Sequence, residues 1–376
     1  MFDILETPSL ILNEQRLIAN IAKMKIIAEQ ANIDLRPHLK TCKSLHVANR
    51  ILPPGPNSKI TVSTLAEADY FLSGGYTDIL YAVSIAPQKL ARVKALQDAG
   101  AKIILLLDNQ ETAEKVATAG QRMGTSFPCL IEIDCDGKRA GLMPNDPEII
   151  KIARLLHNTE GTSLAGVMTH AGGSYYAKDT TEIKSVAEQE RTAITDAADM
   201  ITATDLPCPI RSAGSTPTLT YADSFNGLTE IRAGVYVFQD MVMQALGVCS
   251  TDDIALSVLT TVISHNKAHN RILVDAGSLA LSADPGKANA AGKTHFGQVC
   301  QIGTTKVIDG LFISSCNQEH GLISLDGTNY TFDDFPISSR LQILPNHACI
   351  TAAAYPGYHV STAAGGMDYW PRCSGW

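Results

Sequence analysis

The sequence predicts an α/β protein, a (β/α)8 barrel over residues 10–245 followed by a mainly β domain over 246–376, with the segment 1–9 joining the β domain. Three observations carry this. Short apolar runs alternate with amphipathic stretches through the first two thirds of the chain, the pattern of parallel strands joined by crossover helices. Eight such units are present, the number that closes a barrel. Past about Leu246 helical periodicity nearly vanishes, and strand-like runs follow one another through turns. A length of 376 residues exceeds one ordinary core, yet suits a barrel of about 250 residues with a smaller domain attached.

The elements follow in order. A strand over 7–12 precedes the barrel and is free to pair with the β domain. Asn13 then caps a helix in which Leu17, Ile18, Ile21, Met24 and Ala28 recur at helical spacing up to Gln30. The eight barrel strands are expected at 35–39, 60–63, 79–83, 103–107, 129–133, 164–168, 210–212 and 230–235. Helices are expected at 65–72, 86–99, 110–124, 147–156 and 183–203. A doubly wound open sheet would also alternate in this way, but no Gly-x-Gly-x-x-Gly fingerprint follows an early strand. In the second domain the strands are 256–264, 271–275, 300–308, 312–315, 322–325 and 341–344.

Composition narrows the function. A net charge of −8 and a pI near 5.7 argue against a nucleic-acid or anionic-membrane surface, because either needs a basic patch. The start, Met1 to Glu6, has no cationic region followed by an apolar run. The long uncharged stretch 341–367 is interrupted by Pro345, Asn346, His347, Pro356 and His359, which would be costly in a bilayer. Nine scattered cysteines fit reduced thiols. The expectation is a cytoplasmic enzyme acting on a small molecule.

Three segments carry chemistry. Arg36-Pro37-His38-Leu39-Lys40-Thr41-Cys42-Lys43 places Lys40 at the C-terminal end of the first barrel strand, the end where barrels do their chemistry. A lysine among cationic neighbours there has a lowered pKa and can react with an aldehyde cofactor. Lys40 and Lys43 also fit a pair of solvated loop cations. After the seventh and eighth strands come Gly214-Ser215-Thr216-Pro217-Thr218 and Arg232-Ala233-Gly234-Val235-Tyr236. Glycine lets amides approach an anion and the hydroxyls donate to phosphate oxygens, at the place where barrels commonly hold phosphate. An ordinary strand-to-helix turn would use the same residues. His347-Ala348-Cys349 is the third: on an extended backbone residues i and i+2 share a side, so imidazole and thiolate can reach one metal. Nitrogen with thiolate suits zinc better than magnesium. An isolated His-x-Cys is also what a buried structural pair looks like. Arg139 after the fifth strand, and His170 and Tyr175 after the sixth, are softer candidates for anion contact, stacking or proton work.

Together these residues resemble the D-threonine aldolase and D-serine dehydratase family, pyridoxal-phosphate enzymes with an alanine-racemase-like barrel followed by a β domain. The likeness spans nearly the whole chain. It includes Thr7-Pro8, 36–41, 64–68, 214–218, 230–238, Asp275-Ala276-Gly277-Ser278, Glu319-His320-Gly321, 345–349 and Trp370-Pro371-Arg372. It implies that Lys40 carries pyridoxal 5'-phosphate and that Gly214, Ser215, Thr216, Gly234 and Tyr236 hold its phosphate. Arg139, His170 and Tyr175 are the further candidate cofactor contacts. His347 and Cys349 would bind a divalent metal, zinc first, with manganese, cobalt or magnesium as alternatives. Relatives of this kind are dimers. Two positions depart from the family pattern: Cys42, where members often have histidine, and Leu279, where they have lysine.

The expected reaction is β-elimination of water from a D-3-hydroxy amino acid such as D-serine, D-threonine or 3-hydroxy-D-aspartate, giving a 2-oxo acid and ammonia. Lys40 would remove the Cα proton, and the metal would stabilise charge on the departing oxygen. Aldol cleavage to glycine and an aldehyde is the alternative. His-x-Cys rather than His-x-Asp at the metal pair favours elimination, by resemblance. A non-catalytic cofactor carrier would not need the β domain, and a racemase would need a second base that is not identified.

Overall fold

In the computed structural model, which describes residues 2–286 and 294–376, the chain divides into two compact units. One comprises Lys23–Gly234 with Cys373–Trp376, the other Met1–Ala22 with Val235–Arg372. The division therefore falls inside the first helix and directly after Gly234, where the sequence suggested breaks at 10 and 245. The first strand, β1 (Ser9–Asn13), belongs to the second of these units.

The barrel unit holds eight strands: β2 (Asp34–Leu35), β3 (Gly55–Val62), β4 (Tyr76–Ser84), β5 (Lys102–Leu107), β6 (Phe127–Ile133), β7 (Thr162–Thr169), β8 (Ile210–Ala213) and β9 (Glu230–Ile231). They lie in the order β2-β9-β8-β7-β6-β5-β4-β3, and each pairing is parallel. The ring closes through a parallel bridge between His38 and Thr61, with Leu39 N–H donating to Thr61 O at 2.8 Å. All eight expected strands are present. Leu80, Leu106, Leu130, Ala165 and Met168 from neighbouring strands pack into one buried cluster, the apolar core that parallel strands covered by helices require.

Two strands are shorter than expected. The segment expected at 35–39 forms ladder pairs only at Asp34–Leu35, because Pro37 has no N–H. Arg36 and His38 still donate to Ile231 O and Ala233 O, at 2.9 and 2.8 Å. The run expected at 230–235 ends at Ile231, and Val235–Val237 turns into a 3-10 helix. Side chains compensate for the missing ladder. Arg36, 1% exposed, sends Nε to both carboxylate oxygens of Glu230 at 2.9 Å and NH1 to Asp78 at 2.6 Å. It thereby ties β2 to β9 and β4 at the seam where backbone pairing is thinnest.

Helix starts are capped by side chains, the first by Asn13 as the sequence suggests. Asn13 Oδ1 accepts from Arg16 N at 2.9 Å at the head of the helix Glu14–Gln30. Thr64, Asn109 and Asp179 do the same for Leu65–Ser73, Gln110–Met123 and Thr180–Thr202. Gly124, in the left-handed region at φ 62°, ends the second of these.

The other unit adds β10 (Leu256–Asn266), β11 (Arg271–Val274), β12 (Gln298–Cys300), β13 (Val307–Cys316), β14 (Gly321–Ser324), β15 (Arg340–Leu344), β16 (Gly357–Ser361) and β17 (Met367–Pro371). Their order is β11-β14-β13-β12-β15-β10-β1-β16-β17, and a further β10–β11 pairing closes six of them into an antiparallel barrel. β1 pairs antiparallel with β10 and parallel with β16. The run expected as one strand at 300–308 is instead two strands around a turn, in which Gln301 N–H donates to Lys306 O and Gly303 takes φ 74°. β16 and β17 lie in sequence rich in Gly and Pro that gave no strand signal. Among the described residues, no helix is long and apolar enough to cross a membrane.

Candidate active site

The C-terminal ends of the barrel strands bring most of the expected polar residues together. Lys40 lies five residues past the end of β2, beyond the His38 bridge to β3, and is half-buried. Lys43 is not a solvated cation either, since its Nζ lies 3.1 Å from the buried Glu67 carboxylate. His38 and His170 sit near enough to Lys40 for its charge to act on both rings. Burial, helped by Lys40, Arg232 and His170, holds the His38 ring well below its usual pKa. Burial likewise brings His170 down to about 3, against the opposing bond to Gly214. Both imidazoles are therefore neutral at physiological pH. Nδ1 of His170 lies 2.9 Å from Gly214 O, and its ring is 6.1 Å from that of Tyr175.

Arg232 is 3% exposed, donates to Ser212 Oγ and Thr169 O at 2.5 Å each, and is pushed down to about 10 by burial against the pull of Glu230 and Glu190. Glu132, near Arg139 and Arg232 and bonded by Ser84 Oγ at 3.1 Å, is raised by burial. Arg139 itself is exposed, on a loop organised by the Asp134 carboxylate, which accepts from Gly137 N at 2.9 Å and Arg139 N at 3.4 Å.

The loops proposed for phosphate have a more specific wiring than sequence suggests. Gly214 takes φ 128°, and a Cβ there would lie 2.6 Å from Arg232 O, so only glycine fits. Its N–H donates to Glu190 Oε1 at 3.1 Å and its C=O meets His170, so both backbone groups are already engaged within the protein. Ser215 caps the helix Thr216–Tyr221 in a capping box with Thr218, and its Oγ lies 2.9 Å from Ser174 Oγ. Thr216 is buried at the start of that helix. Gly234 has no room for a Cβ, which would lie 2.8 Å from His38 O and 2.9 Å from Thr41 Oγ1. Its N–H has no acceptor among the described residues. Tyr236 is buried in the 3-10 helix that opens the other unit.

These residues fit pyridoxal phosphate. The donor set combines an amine, two neutral imidazoles and a buried guanidinium with a glycine amide held open and the amide of a helix start, as an aldehyde bearing an aromatic ring and an anion requires. Lys40 would hold the aldehyde end, and Thr216 and Gly234 would supply phosphate donors over the frame built by Gly214 and Ser215.

In the other unit, His347 is not on an extended strand with Cys349, as the sequence suggested. Pro345 ends β15, His347 is the N-cap of the short helix Ala348–Ala353, and Cys349 lies in its first turn. The pair still meets. Burial lowers the pKa of His347, but a hydrogen bond with Cys349, the charges of Cys349 and Asp240 and a hydrogen bond with Asp284 override it, pushing the ring up to about 9. Nδ1 of His347 lies 3.0 Å from Asp284 Oδ2, which leaves Nε2 as the second ring nitrogen. Buried Asp240 anchors the helix, accepting from Ala348 N at 3.0 Å and Met243 N at 2.9 Å. A carboxylate on the far nitrogen of a histidine is the usual support for a metal ligand, so the donor chemistry fits a borderline cation. No cluster of three or more metal-ligating side chains forms among the described residues.

Sequence reasoning gave no role to Arg232 and missed Glu190 and Asp284. Glu190 had a signal: it occupies a core position in the series Ile183, Ala187, Glu190, Ile194, Ala197 and Ile201, all buried along one helix face. A carboxylate on an apolar stripe must have partners. Asp284 had none, because it is joined to His347 only by the fold.

Comparison with known proteins identifies the family. The model of the alanine racemase N-terminal domain matches residues 12–241, and that of the "Putative serine dehydratase domain" matches 255–361. The chain is 43% identical to a D-threo-3-hydroxyaspartate dehydratase of Delftia, covering 99% of this chain and 98% of that one. It is 31% identical to a D-serine dehydratase of Dictyostelium discoideum, covering 95% and 93%. The solved structure of the Delftia enzyme superposes with a TM-score of 0.94 at 42% identity, covering 99% of both chains. A cysteine-to-alanine variant of that enzyme has been solved in a metal-free form. A D-threonine aldolase from Filomicrobium marinum, 21% identical over 98% of this chain and 95% of its own, shares the fold with a TM-score of 0.80. The family supports pyridoxal phosphate as the cofactor, and its named relatives, dehydratases and aldolases, are lyases. The chain belongs to the D-threonine aldolase and D-serine dehydratase family of alanine-racemase-like proteins, on its dehydratase branch.

Proposed function

We propose that this protein is a pyridoxal-phosphate- and metal-dependent dehydratase that eliminates water from a D-3-hydroxy amino acid, with D-threo-3-hydroxyaspartate as the first substrate to try. The observation that carries the reading is the full-length 43% identity to a dehydratase of that substrate, in a chain that pairs Lys40 at the barrel mouth with a His-x-Cys pair on the β unit. Bound pyridoxal phosphate supplies an electron sink for the bond to Cα. Lys40 Nζ takes the Cα proton from its half-buried position near His38 and His170. His38 and His170, both neutral, orient without competing for that proton. His347 Nε2 and Cys349 Sγ would hold a divalent metal, zinc by the softness of the thiolate, whose Lewis acidity assists departure of the hydroxyl. Asp284 accepts from Nδ1, so the proton that a metal would displace from the ring is the one on Nε2.

Aldol cleavage is the second reading, supported by 25% identity to a 3-hydroxy-D-aspartate aldolase of Paracoccus denitrificans over 94% of this chain. Product analysis separates the two. With D-threo-3-hydroxyaspartate, D-serine and D-threonine in turn, elimination yields ammonia and a 2-oxo acid in equal amounts. Glycine with an aldehyde as the main products would replace the dehydratase reading by the aldolase one.

A further inference from the structure

The helix Thr180–Thr202 has taken no part in the chemistry so far, yet it puts one buried carboxylate behind two of the barrel's functional loops. Glu190 is 3% exposed. Its Oε1 accepts from Ala171 N at 2.7 Å, next to His170, and from Gly214 N at 3.1 Å in the loop after β8. Its Oε2 accepts from Thr218 Oγ1 at 2.8 Å, the residue that closes the capping box with Ser215. The adjoining Gln189 donates Nε2 to Cys135 O at 2.7 Å, so the same turn of helix also reaches the loop after β6. Two cross-links between the loops depend on that spacing: His170 Nδ1 to Gly214 O, and Ser174 Oγ to Ser215 Oγ, each 2.9 Å.

We propose that Glu190 is the positioning residue of the cofactor's phosphate subsite, setting the spacing of the 170–174 and 214–218 loops that would hold the phosphate. The inference rests on the cofactor reading above. A carboxylate would repel a phosphate dianion if it reached it. Glu190 is buried behind both loops, where burial raises its pKa against the three donated hydrogen bonds and the charge of Arg232. Its role is then geometric. An acceptor of the same shape without charge should serve, whereas losing the acceptor should loosen both loops at once.

Comparing pyridoxal phosphate with pyridoxal isolates the phosphate, because both present the same aldehyde to Lys40. Each would be titrated, by absorbance, into cofactor-stripped wild type, Glu190→Gln and Glu190→Ala, with thermal unfolding of the stripped proteins as the check on folding. The expected result is a loss of at least about tenfold in affinity for pyridoxal phosphate in Glu190→Ala with pyridoxal unchanged within about threefold, and near wild-type values for both in Glu190→Gln. Glu190→Asp withdraws the carboxylate by one methylene and should give a smaller loss of the same selectivity, which keeps the test decisive if Glu190→Ala does not fold. Equal losses for the two ligands, or none, would overturn the positioning role alone. Wild type that binds no pyridoxal phosphate would overturn the cofactor reading along with it.

Discussion

The mouth of the barrel and the histidine–cysteine pair of the β unit are built on opposite plans. At the barrel mouth nearly every polar group is already bonded to another: Gly214 by both backbone groups, Ser215 by its N–H and hydroxyl, Arg232 to Ser212 and Thr169, Glu190 to three donors. Little there can move when a ligand enters. His347 and Cys349 stand at the head of a helix of six residues, and His347 and its supporting carboxylate Asp284 are 43% and 48% exposed. The first arrangement suits a group held through every turnover, the second an ion that exchanges with solvent and opens its coordination to substrate. The difference teaches that loss of the barrel residues should abolish cofactor binding, while loss of the pair should leave it intact.

The largest effect is expected at Lys40. Lys40→Ala should lose the visible absorbance of bound cofactor and reduce ammonia release by about a thousandfold or more. Retained colour with retained activity would break the comparison on the barrel side.

Next comes Cys349→Asp. Replacing sulfur by a hard carboxylate should reduce dehydration by about 10- to 100-fold and shift metal preference from zinc toward manganese or magnesium, with cofactor absorbance unchanged. Metal-dependent rate profiles of the two proteins check it. An unchanged preference would mean that Cys349 is not a ligand.

Glu230→Gln probes the seam rather than the chemistry. It weakens the pairing of Arg36 and Glu230, both almost fully buried, and removing one partner of such a pair costs about 3–5 kcal/mol. Urea unfolding should show that loss, and unchanged stability would show that the short β2 and β9 do not depend on it.

The smallest effect concerns pH. His170 is held near 3 in the folded barrel and returns to about 6.5 when unfolded, so the unfolded chain binds more protons between those values. His38 acts in the same direction. Stability of the cofactor-free protein should therefore fall as pH drops from about 6.5 toward 4, and His170→Asn should make that fall shallower. Parallel curves for variant and wild type would place the His170 ring in water.

Much of this was legible in the sequence. The eight barrel strands announced themselves as apolar runs, because parallel strands covered on both faces must be apolar throughout. The place of Lys40 after the first barrel strand was legible from the strand pattern, and the close backbone approach at Gly214 and Gly234 from the glycines themselves. What could not be read depended on long-range pairing. The hairpin between β16 and β17 is held by partners and not by its own Gly- and Pro-rich sequence. His347 and Cys349 were selected for a strand geometry they do not have, and they meet because a helix starts between them. Asp284 reaches His347 across 63 positions of chain, a separation that no local pattern reports.

The central claim is that the two regions act separately, cofactor retention resting on the barrel and elimination on the metal pair. One measurement addresses it directly: adding a chelator to the holoenzyme with D-threo-3-hydroxyaspartate while recording cofactor absorbance and ammonia release in the same sample. The account predicts that ammonia release stops while the absorbance persists, and that zinc restores release. Undiminished release from metal-free protein, or absorbance lost together with the metal, would contradict it.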